Sequence, residues 1–188
     1  MTQYFWEERE FYEDLKDALA DSNIHSINIA SAYISLTDAK QLQYLINHLD
    51  LSKDKIQIYC SSKFNEQEPA KILKFLSTFA TVNIVHEPFL HSKAYELQGN
   101  QSITIYLGSA NLTDGGLFNN CELMTKSITT ASPLEAFWDY LWQQCVIVNE
   151  EVIALDHELP TIELPQENHP AHIKLNNKLQ AMYEKQCI

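Results

Sequence analysis

The sequence predicts an α/β fold in which a mixed β-sheet is flanked by helices on both faces. One observation is the alternation of period-two and helix-period apolar stretches from about residue 24 to 85. A second is the run of strand-like segments joined by short turns between about 91 and 128, which reads as antiparallel. The third is a broad-faced amphipathic helix after Ser132, whose apolar side reads as packed into the core.

Residues 3 to 20 read as a helix, with Phe11 or Tyr12, Leu15 and Leu19 opposite a strongly acidic face, stopping near Asp21-Ser22-Asn23. Ile27 and Ile29 lead into Ala30-Ser31-Ala32-Tyr33-Ile34 as a largely buried strand. Ser35 with Asp38 offers a capping box to a helix whose apolar side carries Leu42, Leu45, Ile46 and Leu49. Ile56, Ile58 and Cys60 alternate as the next strand. Pro69 then opens a helix bearing Ile72, Phe75, Leu76 and Phe79.

Strands follow at Val82 to Val85, His91 to Leu97 and Ile103 to Leu107, the last two joined by a hairpin turn around Asn100, and Glu122 to Ile128 forms a further strand. Ser132, Pro133 and Glu135 start a helix whose face of Leu134, Phe137, Trp138, Leu141 and Trp142 reads as core rather than as a ligand-stacking surface. Residues 1–148 are expected to form one catalytic domain. Residues 149–188 form an extension with an acidic connector punctuated by Pro160, Pro165 and Pro170. Its helix from about Ala171 would pack Ile173, Leu179 and Met182 on the same domain or on a dimer partner.

The 188 residues carry a formal net charge of −12, which argues against broad electrostatic binding of nucleic acid. A local basic cleft answers that objection if Lys53, Lys55, Lys63, Lys71 and Lys74 join Lys93, and solvated lysines scattered over the surface are the plain alternative. Cys60, Cys121, Cys145 and Cys187 are too few and too widely spaced for a disulfide framework and are expected to be reduced. Met1 to Glu10 lacks the basic start and apolar run of a signal peptide, and no stretch reaches the roughly 18 apolar residues of a membrane span. A cytoplasmic location is the expectation.

The most informative stretch is His91-Ser92-Lys93, followed by Gly108-Ser109-Ala110-Asn111, Gly115-Gly116 and Glu122. Successive strand side chains point to opposite faces, so His91 and Lys93 are expected on one side, and Ser109 and Asn111 share their spacing. If the second strand runs back along the first, these polar groups converge, and Gly108 lets the backbone come close. The pocket suits a phosphodiester. His91 would attack phosphorus to give a covalent phosphohistidine, Lys93 would neutralise the non-bridging oxygens, and Ser109 and Asn111 would add neutral donors. Glu122 is expected to hold an imidazole N–H and fix its tautomer.

The leaving alkoxide also needs a proton, and a single His91 does not easily serve both roles. The economical acid is His91 of a second copy across a two-fold axis, so a homodimer is the mechanistic expectation. His86 and His91 have a separation seen in some zinc sites, yet no paired cysteines or acidic ligand set completes them, and neither a metal nor a cofactor is expected. Tyr33 reads as a core strand aromatic, with a place lining the pocket mouth as the alternative. Asn119 and Asn120 read as a turn.

His91-x-Lys93, Gly108-Ser109-x-Asn111, Gly115-Gly116 and Glu122 together resemble the phospholipase D superfamily over about residues 24 to 145. The resemblance implies a mixed sheet between helices, a metal-independent phosphohistidine mechanism, and a site built from two His-x-Lys motifs, which one-motif members assemble by dimerising. The commonest pattern has an aspartate five positions after the lysine. Here that position is Gln98. The departure points away from the lipid-cleaving branch and towards the divergent nuclease branches, which include metal-independent restriction endonucleases and tyrosyl-DNA phosphodiesterases.

The expected function is therefore a metal-independent endonuclease acting on nucleic acid, DNA ahead of RNA. A separate subunit would supply any sequence or damage recognition. The competing readings are a catalytically silent binding or assembly module of the same fold and, ranked lower, a lipid phosphodiesterase. The latter is disfavoured because the chain's charge repels anionic bilayers.

Overall fold

Ile27 and Ile29 alternate with Asn28 and Ala30 in the strand that holds the centre of the molecule, and both isoleucines are fully buried. The computed structural model describes residues 2–62, 69–154 and 181. Its strands are β1 (Thr2–Phe5), β2 (Ile24–Ser31), β3 (Ile56–Ser61), β4 (Thr81–Val85), β5 (Lys93–Gly99), β6 (Ile103–Gly108), β7 (Met124–Thr129) and β8 (Cys145–Ile147). They form one 8-stranded sheet in the order β1-β7-β6-β5-β2-β3-β4-β8. The pairs β2–β3 and β3–β4 are parallel and all the others antiparallel, so the sheet is mixed as the sequence predicts.

Four helices cover one face: α1 (Glu10–Leu19), α2 (Leu36–Ile46), α3 (Pro69–Leu76) and the short α5 (Glu150–Ile153). Their apolar sides, including Phe11, Leu15, Leu42, Ile72, Leu76 and Val152, share a core with Ile58, Val82, Tyr95 and Tyr106 of the sheet. Helix α4 (Glu135–Gln144) covers part of the other face, where Trp138 stacks on Tyr59 with ring centroids 5.8 Å apart and Leu141 joins Ala94 and Val85. Under α4 the Glu96 carboxylate is fully buried but satisfied, accepting from the Gln98 and Asn28 amides and from the Ser132 hydroxyl. Gln98, five positions after Lys93, thus binds a neighbouring carboxylate.

Several expectations are corrected. The single helix over residues 3 to 20 is a strand followed by a helix. Thr2 to Phe5 pair with β7, and the chain then turns through Arg9 at φ 65. The Glu10 carboxylate accepts from the N–H groups of Trp6 and Glu7 and caps that turn. Strand β2 stops at Ser31, while Ile34 makes an isolated bridge to Leu112. Trp142 is 51% exposed and stays outside the cluster that Trp138 and Leu141 join, so the apolar face of α4 is narrower than its sequence implies.

The short β8 was not expected. It antiparallel-pairs with β4 and brings the chain back to the sheet. The helix expected from Ala171, its Ile173, Leu179 and Met182, and Cys187 lie outside the described residues. No helix among the described residues is long and apolar enough to cross a membrane.

Candidate active site

Register places all the candidate residues at one edge of the sheet. Ser31 ends β2 opposite Lys93, the first residue of β5. Gly108 ends β6 opposite Met124, the first residue of β7, and Ser61 and Val85 end β3 and β4 together. The loops leaving this edge therefore stand beyond the carboxyl ends of the parallel strands, where open α/β sheets place their ligands.

His91 and Ser92 precede β5 rather than lying in it, so the pleat does not set their direction, contrary to the sequence reading. Lys93 does that work instead. Its side chain is only 7% exposed, its ammonium donates to the His91 carbonyl at 2.7 Å, and it lies 3.3 Å from Nδ1 and 3.4 Å from Nε2 of the ring. The ring itself is exposed. A fixed cation beside an accessible imidazole is an arrangement that binds an anion next to a nucleophile.

Burial holds the Lys93 ammonium below the ordinary lysine range, with the Glu122 carboxylate acting in the opposite sense. Its charge is present below that lowered pKa and lost above it. Turnover that depends on the charge is expected to fall on the alkaline side at a pH lower than free lysine would give. A kcat/KM profile checks this, and Lys93→Arg, which keeps its charge, should move the limb upward even at reduced rate.

Ser109 and Asn111 follow the end of β6. The Asn111 side-chain oxygen accepts from the Tyr33 N–H at 3.2 Å, which leaves its NH₂ as the group available to a ligand. The segment carrying Asn111 is pinned from below. Tyr95 donates its hydroxyl to the Ala110 carbonyl at 3.0 Å, the Leu112 N–H donates to the buried Ser31 hydroxyl at 2.8 Å, and the Ser35 N–H donates to the Leu112 carbonyl at 3.1 Å. Asp38, buried in the first turn of α2, accepts from the Ser35 hydroxyl, and burial pushes its carboxyl upward. Ser31, Asp38 and Tyr95 escaped the sequence reading as site-building residues because each looks like ordinary strand or cap composition.

The glycines act through closeness rather than unusual backbone, since none of them has a positive φ. A Cβ on Gly108 would stand 2.0 Å from the Leu123 carbonyl oxygen, and one on Gly116 would stand 2.3 Å from the Asn111 carbonyl oxygen. Gly116 lies in a π-helical turn (Gly115–Asn119) folded back against Asn111.

Glu122 behaves differently from its expected role. Its oxygens accept from the Ser109 hydroxyl and, at 3.2 Å, from the Asn120 amide, and neither is bonded to the His91 ring. The Ser109 oxygen in turn accepts the Leu123 N–H at 3.0 Å. Glu122 thus orients Ser109 and biases Lys93 electrostatically, and the Ser109 proton is committed to it. The physical reason is register: Gly108 at the end of β6 pairs with Met124 at the start of β7, so Ser109 and Glu122, just beyond those two ends, are neighbours across the strand pair.

The basic cleft is corrected for Lys53 and Lys55. Lys53 and Lys55 lie just before β3 begins, at the opposite edge of the sheet, where Lys53 donates to the Ser77 carbonyl at 2.7 Å. Lys71 and Lys74 are exposed on α3, and Lys63 lies outside the described residues. Near the loop that leads to His91, His86 is buried and its Nδ1 is 2.8 Å from the buried Ser62 hydroxyl.

No family model matches the chain, and no curated protein matches it. Among solved structures, Nuc from Salmonella typhimurium, a phospholipase D family member, superposes with TM-score 0.60 at 17% identity over 79% of this chain and 98% of that one. NucT from Helicobacter pylori gives TM-score 0.59 at 17% identity over 79% of this chain and 99% of that one. A yeast tyrosyl-DNA phosphodiesterase mutant gives TM-score 0.54 at 17% identity, covering 77% of this chain but 36% of its own length. At these identities the likeness is one of fold.

Proposed function

We propose that this chain, whose fold is that of the phospholipase D superfamily, is a phosphodiesterase, and specifically a metal-independent nuclease that works as a homodimer through a phosphohistidine. The observation that carries the reading is the exposed His91 ring held beside the buried Lys93 ammonium at the carboxyl edge of the sheet.

In the first step a His91 ring nitrogen attacks phosphorus. A P–N bond forms and the P–O bond to the leaving alcohol breaks, while Lys93 and the Asn111 amide hold the non-bridging oxygens. The leaving oxygen takes its proton from the imidazolium of the partner subunit's His91. In the second step that imidazole accepts a proton from water as the water oxygen attacks phosphorus, and the P–N bond breaks to release the phosphate monoester. Ser109, tied to Glu122, fixes the far wall of the site. Two copies meeting at this edge supply one nucleophile and one acid.

Rapid acid or denaturant quenching during turnover of a ³²P-labelled diester in the presence of chelator tests the proposal. Label is expected on His91 by peptide mapping, with the protein sedimenting as a dimer. Turnover that requires added Mg²⁺, or label absent from His91 under conditions of rapid turnover, would overturn it.

A further inference from the structure

The edge that carries His91 is unfavourable for a polyanion. The described segments leaving it hold the acids Glu7, Glu8, Glu87, Asp114 and Glu122 against Arg9 and Lys93, and the first turn of α3 adds Lys71. Arg9 is engaged with the Phe118 ring, 5.4 Å from its centroid, and with Glu13 at 3.8 Å. Lys93 is buried against His91. Duplex DNA carries about one charge per 1.7 Å of axis and is gripped mainly by cations on its phosphates. Among the described residues this rim has few to offer.

It offers exposed rings instead. Trp6 is 57% exposed and follows Phe5, whose strand partner is Met124. Its carbonyl accepts from the Cys121 thiol at 3.6 Å, which puts it beside the segment of Glu122 and Leu123, and the Leu123 carbonyl accepts from the Ser109 N–H at 3.1 Å. Phe89, 42% exposed, lies two residues before His91 and makes an edge contact with the His86 ring at 5.8 Å. In the strand order, β5, which His91 precedes, lies between β1, which Trp6 follows, and β4, whose connection to β5 carries Phe89. Bases in a duplex are hidden from such rings, whereas an unpaired base presents a face that any aromatic side chain can stack on.

We propose that this site takes single-stranded nucleic acid, held by stacking of unpaired bases on Trp6 and Phe89 with few phosphate contacts. The inference rests on the nuclease reading above for its chemistry, but binding alone tests it.

Fluorescence anisotropy of a labelled 12-residue oligonucleotide, single-stranded or annealed to its complement, reads the preference in wild-type protein with chelator present. The single strand is expected to bind at least about tenfold tighter than the duplex, with a log–log salt slope no steeper than about −2. Tryptophan emission should be quenched on binding, and Trp6→Phe should remove that quench while keeping affinity. Trp6→Ala and Phe89→Ala should each weaken single-strand binding by about tenfold, with circular dichroism verifying the fold.

Equal or tighter duplex binding, a steep salt slope, or no single-strand binding at all would overturn the proposal, as would full affinity in the Trp6→Ala, Phe89→Ala double variant. Wild-type turnover of a small activated phosphodiester is measured alongside. Its absence counts against the catalytic reading, whereas its presence without strand preference counts against the stacking inference.

Discussion

Turnover by His91→Ala is expected to fall by about 10⁴-fold or more while the fold is unchanged. Under the proposed mechanism the variant loses the nucleophile and, in the proposed dimer, the acid that serves the other copy, and groups acting as a unit lose nearly everything when one is removed. The neutrality to folding follows from the ring's exposure and from its contacts. Lys93 keeps its bond to the His91 carbonyl, which alanine also supplies. The thermal midpoint should therefore reflect a change within about 0.5 kcal/mol, as for other exposed substitutions. Steady-state rates on a small activated diester, with a melting curve on the same sample, check both parts. Rates within tenfold of wild type would remove His91 from the chemistry.

The second large effect is expected from Gly116→Ala. The added methyl would sit 2.3 Å from the Asn111 carbonyl oxygen and 2.6 Å from its amide nitrogen, both backbone atoms that cannot swing aside. Relief requires the Asn111 segment or the π-helical turn to move, yet that segment is held by Tyr95, Ser31 and Ser35. Overpacking of this kind costs about 1–3 kcal/mol. A shift of about 1 Å at a positioning group costs about 10²-fold in rate. Chemical denaturation and kcat/KM together measure the pair of effects. Gly115→Ala is the control, because its nearest neighbour is the flexible Asn120 side chain at 3.0 Å.

The sequence was most legible where a local rule and the long-range contacts agree. Ser35 caps α2 through the Asp38 N–H, as the capping box implies, and Ile56, Ile58 and Cys60 are buried in β3 as their alternation requires. The turn around Asn100 does join antiparallel β5 and β6. It was least legible where a distant partner decides. Thr2 to Phe5 carry no strand signal strong enough to compete with the acidic helix pattern behind them, and they become a strand because β7 offers its edge. Strand β8 has 3 residues, too few for a period to show.

The gathering of His91, Lys93, Ser109, Asn111 and Glu122 at one edge was readable from motif spacing, but the bonds within it were not. Spacing says nothing about which neighbour a carboxylate chooses, and Glu122 chose Ser109 and Asn120. The lysines show the same limit. Lys53 and Lys55 are near Lys93 in the chain's charge pattern and at the far edge of the sheet in space.

The sheet is bounded by β1 with 4 residues and β8 with 3. A long, flat outer strand is a template on which further chains can add, and these boundaries give an incoming strand very few backbone groups to pair with. Copies of this protein are thus discouraged from growing into a continuous β-ribbon. Among the described residues the open sheet of 8 strands thus avoids the fibre-forming hazard that long outer strands would bring.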